Sequence, residues 1–471
     1  MMVDLDLDDD EELDELEARR GCLTRVAPLL CRCLCRARRR PVGQASPPPH
    51  NDDAYGDASF NPMANDGLIE TRADDGLIAR PSVEIVEPRR PFAQAAAPLA
   101  APPPVPPPTP QPPPPPLTAD EDPEPAEDYV AGGYHPVALG DVYDERYEVE
   151  HKLGWGVYST VWCCRDRTLQ KRVALKIQKA APEYTASAVT EIEILSHIRR
   201  RSLELRRESR VVELLEHFYV AGPHGNHVCM VFELLGRTLL HEIQERGALE
   251  VEEVKRCTRC LLECLAFVHE ETGILHTDIK PENVLLVGPP PVARVKLVDL
   301  GTAFYVQRQG ARDIQTREYR CPEGVLGLWP FGPAADVWSV GCLVFELLTG
   351  ETLFDPQSPR PGEPFSKDES HLAQAVELLG PVPPALIRKS PRAARWFRAD
   401  GSALKNIAIA PPPLGADAIA RVLEENFAFG PRGARDTSDF LRALLRYDPD
   451  ARVSARRALD LPWLADGGLV L

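Results

Sequence analysis

Apolar and polar positions follow two regimes along this chain. From about Tyr129 onward apolar residues recur with regular spacing, and before it they do not. RYEVEHKL (146–153) and VALKI (173–177) alternate apolar and polar side chains, the period of a half-buried strand. HVCMVFELL (227–235) is nearly continuous and reads as a buried strand. Further on the period becomes helical, in VKRCTRCLLECLAFVHE, ADVWSVGCLVFELLTG and HLAQAVELLG. The expected architecture is α+β and bilobal, with a small β-rich lobe over about 147–232 and a larger helical lobe over about 233–465. The globular domain as a whole is expected over 127–465.

Composition changes the picture mainly for the first 126 residues. The chain has 471 residues, 48 of them proline, and PPPVPPPTPQPPPPP (102–116) can form only polyproline II. The segment opens with MMVDLDLDDDEELDELEARR and is acidic again before Tyr129. It cannot offset its own ordering entropy and is expected to be a long disordered tail. DGLI occurs twice, at 66–69 and 75–78, too short for a stacked repeat. Cys22, Cys31, Cys33 and Cys35 lie beside Arg36 and Arg38 to Arg40. That pattern suits acylation with a basic patch, nuclear import, or a solvated basic arm; the spacing matches no common zinc pattern. Membrane contact is expected, if anywhere, through this segment.

A formal net charge of −17 argues against direct nucleic acid binding and favours basic protein partners. Twelve cysteines without a secretory leader read as reduced thiols in cytoplasm or nucleus. Nothing in the pattern calls for more than a monomer.

Candidate chemistry is concentrated in a series of short stretches. LGWGVYSTV (153–161) carries Gly154 and Gly156, which let the backbone approach phosphates, although Ser159 stands where a third glycine is usual. Lys176 follows Val161 by fifteen residues, in VALK, placed to pair with α- and β-phosphate oxygens. Glu191 in TEIEIL is expected to hold it, since Glu193 falls on another helix face. ILHTDIKPENVLL (274–286) supplies Asp278 as acceptor of a hydroxyl proton, Lys280 to neutralise a transferring phosphoryl group, and Asn283 as a metal ligand. VDLGTAF adds Asp299 as second ligand, and such hard oxygens suit Mg²⁺. Last come Glu323 in TREYRCPE and Asp336 in ADVWSVG, with Arg452 expected to pair with Glu323. Each piece alone is weak. In this order and spacing they identify an ATP-dependent protein kinase domain.

GGYHPV, HVCMVFELLG, HTDIKPENVLL, VDLGTAF and DIQTREYRCPE together resemble the SR-protein kinase family, a branch of the CMGC group of Ser/Thr protein kinases. The resemblance runs from about Tyr129 to Trp463. It implies transfer of the ATP γ-phosphate to serines in basic, Arg–Ser-rich proteins. It also implies nucleotide contacts along the loop from Leu153 through Gly154, Trp155, Gly156, Val157, Tyr158, Ser159 and Thr160 to Val161. Further contacts are implied at Ala174, Lys176, Phe232 (gatekeeper), Glu233, Leu235 and Leu285. Thr316 becomes the threonine that bonds Asp278 and Lys280.

Three departures qualify this. GPPPVAR (288–294) is all that remains of a spacer that is long in the family. The acidic groove that docks basic substrates is matched at Glu351 and Glu377, but Ser370 replaces an acid and Asn426 a lysine; Asp368 and Glu369 are expected to compensate. Thr277 replaces the arginine that clamps a phosphorylated activation loop in many kinases. Clamp and phosphorylation site look absent together, so the expectation is activity without loop phosphorylation. The alternatives are a kinase with other targets, or a pseudokinase or scaffold, against which Lys176, Asp278 and Asp299 all stand.

Overall fold

The computed structural model describes residues 124–288, 294–310, 313–409 and 417–465. The acidic opening, the Cys/Arg segment, the DGLI repeat, the proline tract and most of the shortened spacer lie outside the described residues.

The first lobe is built on one antiparallel sheet of β1 (Val142–Tyr143), β2 (Tyr147–Gly156), β3 (Ser159–Asp166), β4 (Lys171–Gln178), β5 (Leu214–Gly222) and β6 (Gly225–Glu233), in the order β1-β2-β3-β4-β6-β5. The alternation of β4 sorts its side chains. Val173, Leu175 and Ile177 join Tyr147, Val149, Trp162 and Val231 in a core on one face. Ala174 and Lys176 are left for the other face, because successive strand residues point to opposite sides. Helix α1 (Pro182–Leu205) starts on a proline, whose missing N–H costs nothing at a first turn, and buries Glu191, Ile194, Leu195 and Ile198.

The second lobe is helical. Thr238 caps α2 (Leu239–Arg246) by accepting from the His241 N–H, and a Glu250/Glu253 capping box starts α3 (Val251–Phe267). Between α3 and the next helices lie β7 (Ile274–Leu275), β8 (Val284–Leu286), β9 (Val295–Leu297) and β10 (Phe304–Tyr305), paired β8 with β9 and β7 with β10. Helix α4 (Pro322–Leu326) leads to α5 (Ala334–Thr349), apolar nearly all round and buried from Ala335 to Leu348, as a central core helix must be. Helix α6 (Lys367–Leu379) packs against α4 and against α7 (Ala418–Phe427), and α7 packs on α8 (Pro431–Leu444). Among the described residues the cysteines, from Cys163 to Cys342, are buried and unbridged. No described helix is long and apolar enough to cross a membrane.

Candidate active site

The glycine-rich stretch is the hairpin between β2 and β3, with Gly156 paired to Ser159 across a two-residue turn of Val157 and Tyr158. No atom lies within 4 Å of where a Cβ would sit at Gly154 or Gly156, so packing does not require glycine there. That open space is what a phosphate chain would need. Val161 pairs with Lys176, and Ala174 with Phe232 on β6, so these residues lie at adjacent register positions above the cleft. Leu153, Trp155 and the turn residues Val157 and Tyr158 are exposed, whereas Ser159 and Thr160 are buried. Leu285 lies on β8 and forms a bridge with Thr238. Glu233 accepts from the Glu213 N–H at 2.8 Å and from Lys296 at 2.6 Å. Leu235 is half-buried against the core.

Lys176 Nζ donates to both oxygens of Glu191, at 3.0 and 2.9 Å, and to Asp299 Oδ1 at 3.0 Å. Glu193, one helical step away from the inward face, is exposed. Burial works to lower the Lys176 pKa, but Asp299 and Glu191 outweigh it, and the ammonium is held protonated. Lys176 in turn holds the Asp299 carboxyl down, at about 2, against the opposing pull of burial. Asp299 has a left-handed backbone (φ 60°), and a Cβ at Gly301 would lie 3.3 Å from its Oδ1. A glycine there leaves the carboxylate room.

Below the cleft, Asp278 accepts from the Thr316 hydroxyl at 2.6 Å and pairs with Lys280 at 3.0 Å. Lys280 also donates to the Thr316 oxygen at 3.0 Å. Asn283 commits its amide nitrogen to Asp278, at 2.8 Å to the carbonyl and 3.1 Å to Oδ2. The segment bearing Asp278 is tied down from beneath. Asp336, fully buried in α5, accepts the backbone N–H of His276 (2.9 Å) and Thr277 (2.8 Å), and His269 faces it at 2.8 Å. These bonds offset the left-handed backbone of Thr277 (φ 66°), a costly conformation for a β-branched residue.

Thr277 does not stand idle. Its hydroxyl donates to the Thr302 carbonyl at 2.9 Å, joining the loop before Asp278 to the segment after Asp299. That segment has other ties: Ser187 Oγ to the Gly301 carbonyl (3.0 Å), and Gln309, which bonds both the N–H and the carbonyl of Phe331. Gln315, left-handed at φ 69°, donates to the Ala335 carbonyl and Ser339 and accepts the Cys321 N–H. Sequence reasoning passed over both glutamines. A buried amide side chain is recognisable only once its backbone partners are in place.

The four acids expected at a docking groove fare differently from one another. Glu351 follows α5 and is half-buried. Glu377 is buried with its Oε2 unpartnered, and burial raises its carboxyl to about 7. Glu369 turns inward instead, both oxygens bonded to Asn406 at 2.7 and 2.9 Å, and Asp368 is engaged with Arg317 at 2.5 Å. The two acids expected to compensate at the groove are therefore held within the chain.

Comparison with known proteins agrees with this geometry. The protein kinase domain model matches residues 147–464. The serine/threonine-protein kinase SRPK of Physarum polycephalum is 36% identical over 403 residues, covering 74% of this chain and 92% of that protein. Protein kinase dsk1 of Schizosaccharomyces pombe is 31% identical (73% and 85%), and SRSF protein kinase 3 of Mus musculus 28% (73% and 91%). A protein kinase domain works with ATP and Mg²⁺. With its β-rich and helical lobes, the protein kinase domain match over residues 147–464 and these relatives, the chain belongs to the SR-protein kinase family of Ser/Thr protein kinases.

Proposed function

We propose that this kinase phosphorylates serines in basic, Arg–Ser-rich proteins, with Asp278 as the base. The observation that carries the chemistry is the Asp278–Thr316–Lys280 arrangement. Thr316 fixes one carboxylate oxygen, and Lys280 is held nearby, where charge develops on a transferring phosphoryl group. Mg²⁺, when bound, neutralises phosphate charge. Asp299, an anion at any physiological pH, and Asn283, whose nitrogen is already committed to Asp278, offer it a carboxylate and an amide oxygen. Lys176, kept protonated and oriented by Glu191, is the cation for the α- and β-phosphates. The nucleotide would lie under the Leu153–Val161 hairpin, against Ala174, Phe232, Glu233, Leu235 and Leu285.

Substrate preference rests on the names of the relatives and on Glu377, a buried acid with a free oxygen that a guanidinium would satisfy; Glu351 is the second acid of this groove. The inward commitments of Asp368 and Glu369 favour a second reading, serine phosphorylation in a basic context without long processive runs. Site of action follows the substrates, in cytoplasm and nucleus, with the chain acting as a monomer. The full chain should label an Arg–Ser peptide from γ-labelled ATP, and more slowly a peptide with isolated basic residues. Asp278→Ala should lower the rate about 10²–10⁴-fold. Equal labelling by wild type and variant would overturn the assignment.

A further inference from the structure

Residues Glu124 to Leu139, which precede the matched kinase domain at 147, form a strap over the glycine-rich hairpin. Its course is set by Gly132, at φ 84°, and Gly133, where a Cβ would lie 1.8 Å from the Asp128 carbonyl oxygen. Backbone bonds from Ala181 to Gly132 (2.8 Å) and Ala180 to Gly133 (3.2 Å) fasten this turn just ahead of α1. Glu124 pairs with Lys152, two residues before Gly154, in a buried contact.

At the centre of the strap stands Tyr134, 1% exposed, whose hydroxyl donates to the Gly156 carbonyl at 2.7 Å. Lys179 lies 4.2 Å above the Tyr134 ring, pairs with Asp128 at 2.8 Å and donates its own N–H to the Tyr158 carbonyl at 2.8 Å. Thus the carbonyls on either side of the turn are both held, one by the strap and one by a residue clamped to it.

A trans peptide points its C=O and N–H in opposite directions within one plane. Holding the Gly156 carbonyl toward Tyr134 therefore turns the Val157 N–H to the other side of the hairpin. An unheld loop would rotate this peptide freely, and ordering it on binding would weaken affinity. We propose that Tyr134 is a positioning residue for nucleotide binding: its hydroxyl presets the Gly156–Ser159 turn so that the Val157 N–H faces the phosphates of ATP. Burial, together with Asp128 and Glu124, raises the Tyr134 pKa, so the hydroxyl stays a donor throughout the working pH range. The inference rests on the assignment of this hairpin to ATP.

The test is Tyr134→Phe in the full chain, which removes one oxygen and keeps the ring. One hydrogen bond used in ordering the loop corresponds to about a three- to tenfold rise in KM for ATP. Turnover at saturating ATP should stay within about twofold, with KM for peptide unchanged. Amide exchange at Lys179, whose N–H is bonded to the Tyr158 carbonyl, should quicken in nucleotide-free protein. An unchanged KM for ATP overturns the proposal. So does parallel loss of peptide affinity, ATP affinity and thermal midpoint, which marks a packing role. Calorimetry with Mg²⁺ and a non-hydrolysable ATP analogue separates the two levels. Equal affinity of wild type and variant removes the role of Tyr134 alone, and no binding by wild type removes the nucleotide site with it.

Discussion

Arg452 and Glu323, 129 residues apart, form a two-pronged ion pair at 2.7 and 2.9 Å with neither side chain more than 4% exposed. The guanidinium also donates to the carbonyls of Ala334 and Arg446, and it lies 5.1 Å over the Trp338 ring. Glu323 opens α4 and Trp338 lies in α5, so one cation fastens three parts of the helical lobe. Burying both charges is costly, but removing one leaves the other unpaired. Arg452→Ala should therefore destabilise the protein by about 3–5 kcal/mol, seen as a large drop in thermal midpoint. Arg452→Ala with Glu323→Gln should be less damaging than the single change. A single variant within about 1 °C of wild type would contradict this.

The Thr277–Thr302 contact bears on control. In many kinases an arginine at this position orders the activation segment by gripping a phosphate. Here the segment is fastened without a phosphate: by neutral bonds from Thr277 to the Thr302 carbonyl, Gln309 to Phe331 and Gln315 to α5, and by the Arg392–Asp313 ion pair at 3.0 Å. Between Asp299 and Thr316 the hydroxyls are those of Thr302 and Tyr305, and Tyr305 already faces His197 at 3.1 Å. Phosphatase-treated enzyme should keep at least about 80% of its rate, and Thr302→Ala, which spares the carbonyl, should stay within about twofold, since about one net hydrogen bond is at stake. A rate restored only by rephosphorylation would contradict the reading.

What was legible beforehand divides along physical lines. Strand alternation in VALKI and the spacing of Lys176, Asp278, Asn283 and Asp299 are imposed by the chemistry, so they are visible in one dimension. Glu191 could be separated from Glu193 because helix periodicity assigns them to different faces. Contacts to backbone carry no such mark. Tyr134 meets a carbonyl 22 residues away, and Gln315 meets carbonyl and N–H groups that only the fold brings near. Glu369 follows the same rule. An acid in the first turn of α6 reads as surface charge, yet Asn406, 37 residues on, supplies two donors that draw it inside.

Glu377 provides a test by pH. It is buried, its Oε2 has no partner, and its carboxyl is raised from the ordinary 4.5 to about 7 by desolvation. Between those values the unfolded chain has lost the proton and the folded chain keeps it. Stability from this group is thus full below about 4.5 and falls as pH rises to about 7, then levels off. Glu377→Gln imitates the protonated form and has nothing to lose. At pH 5 the variant should unfold within about 0.5 kcal/mol of wild type, and at pH 8 it should be more stable by about 1–3 kcal/mol. At pH 8 the same change should weaken capture of an Arg-rich peptide, because a guanidinium can pair with a carboxylate and not with an amide. A stability difference that is flat from pH 5 to 8 would show that the carboxyl is hydrated and ordinary, and the docking role would lose its basis.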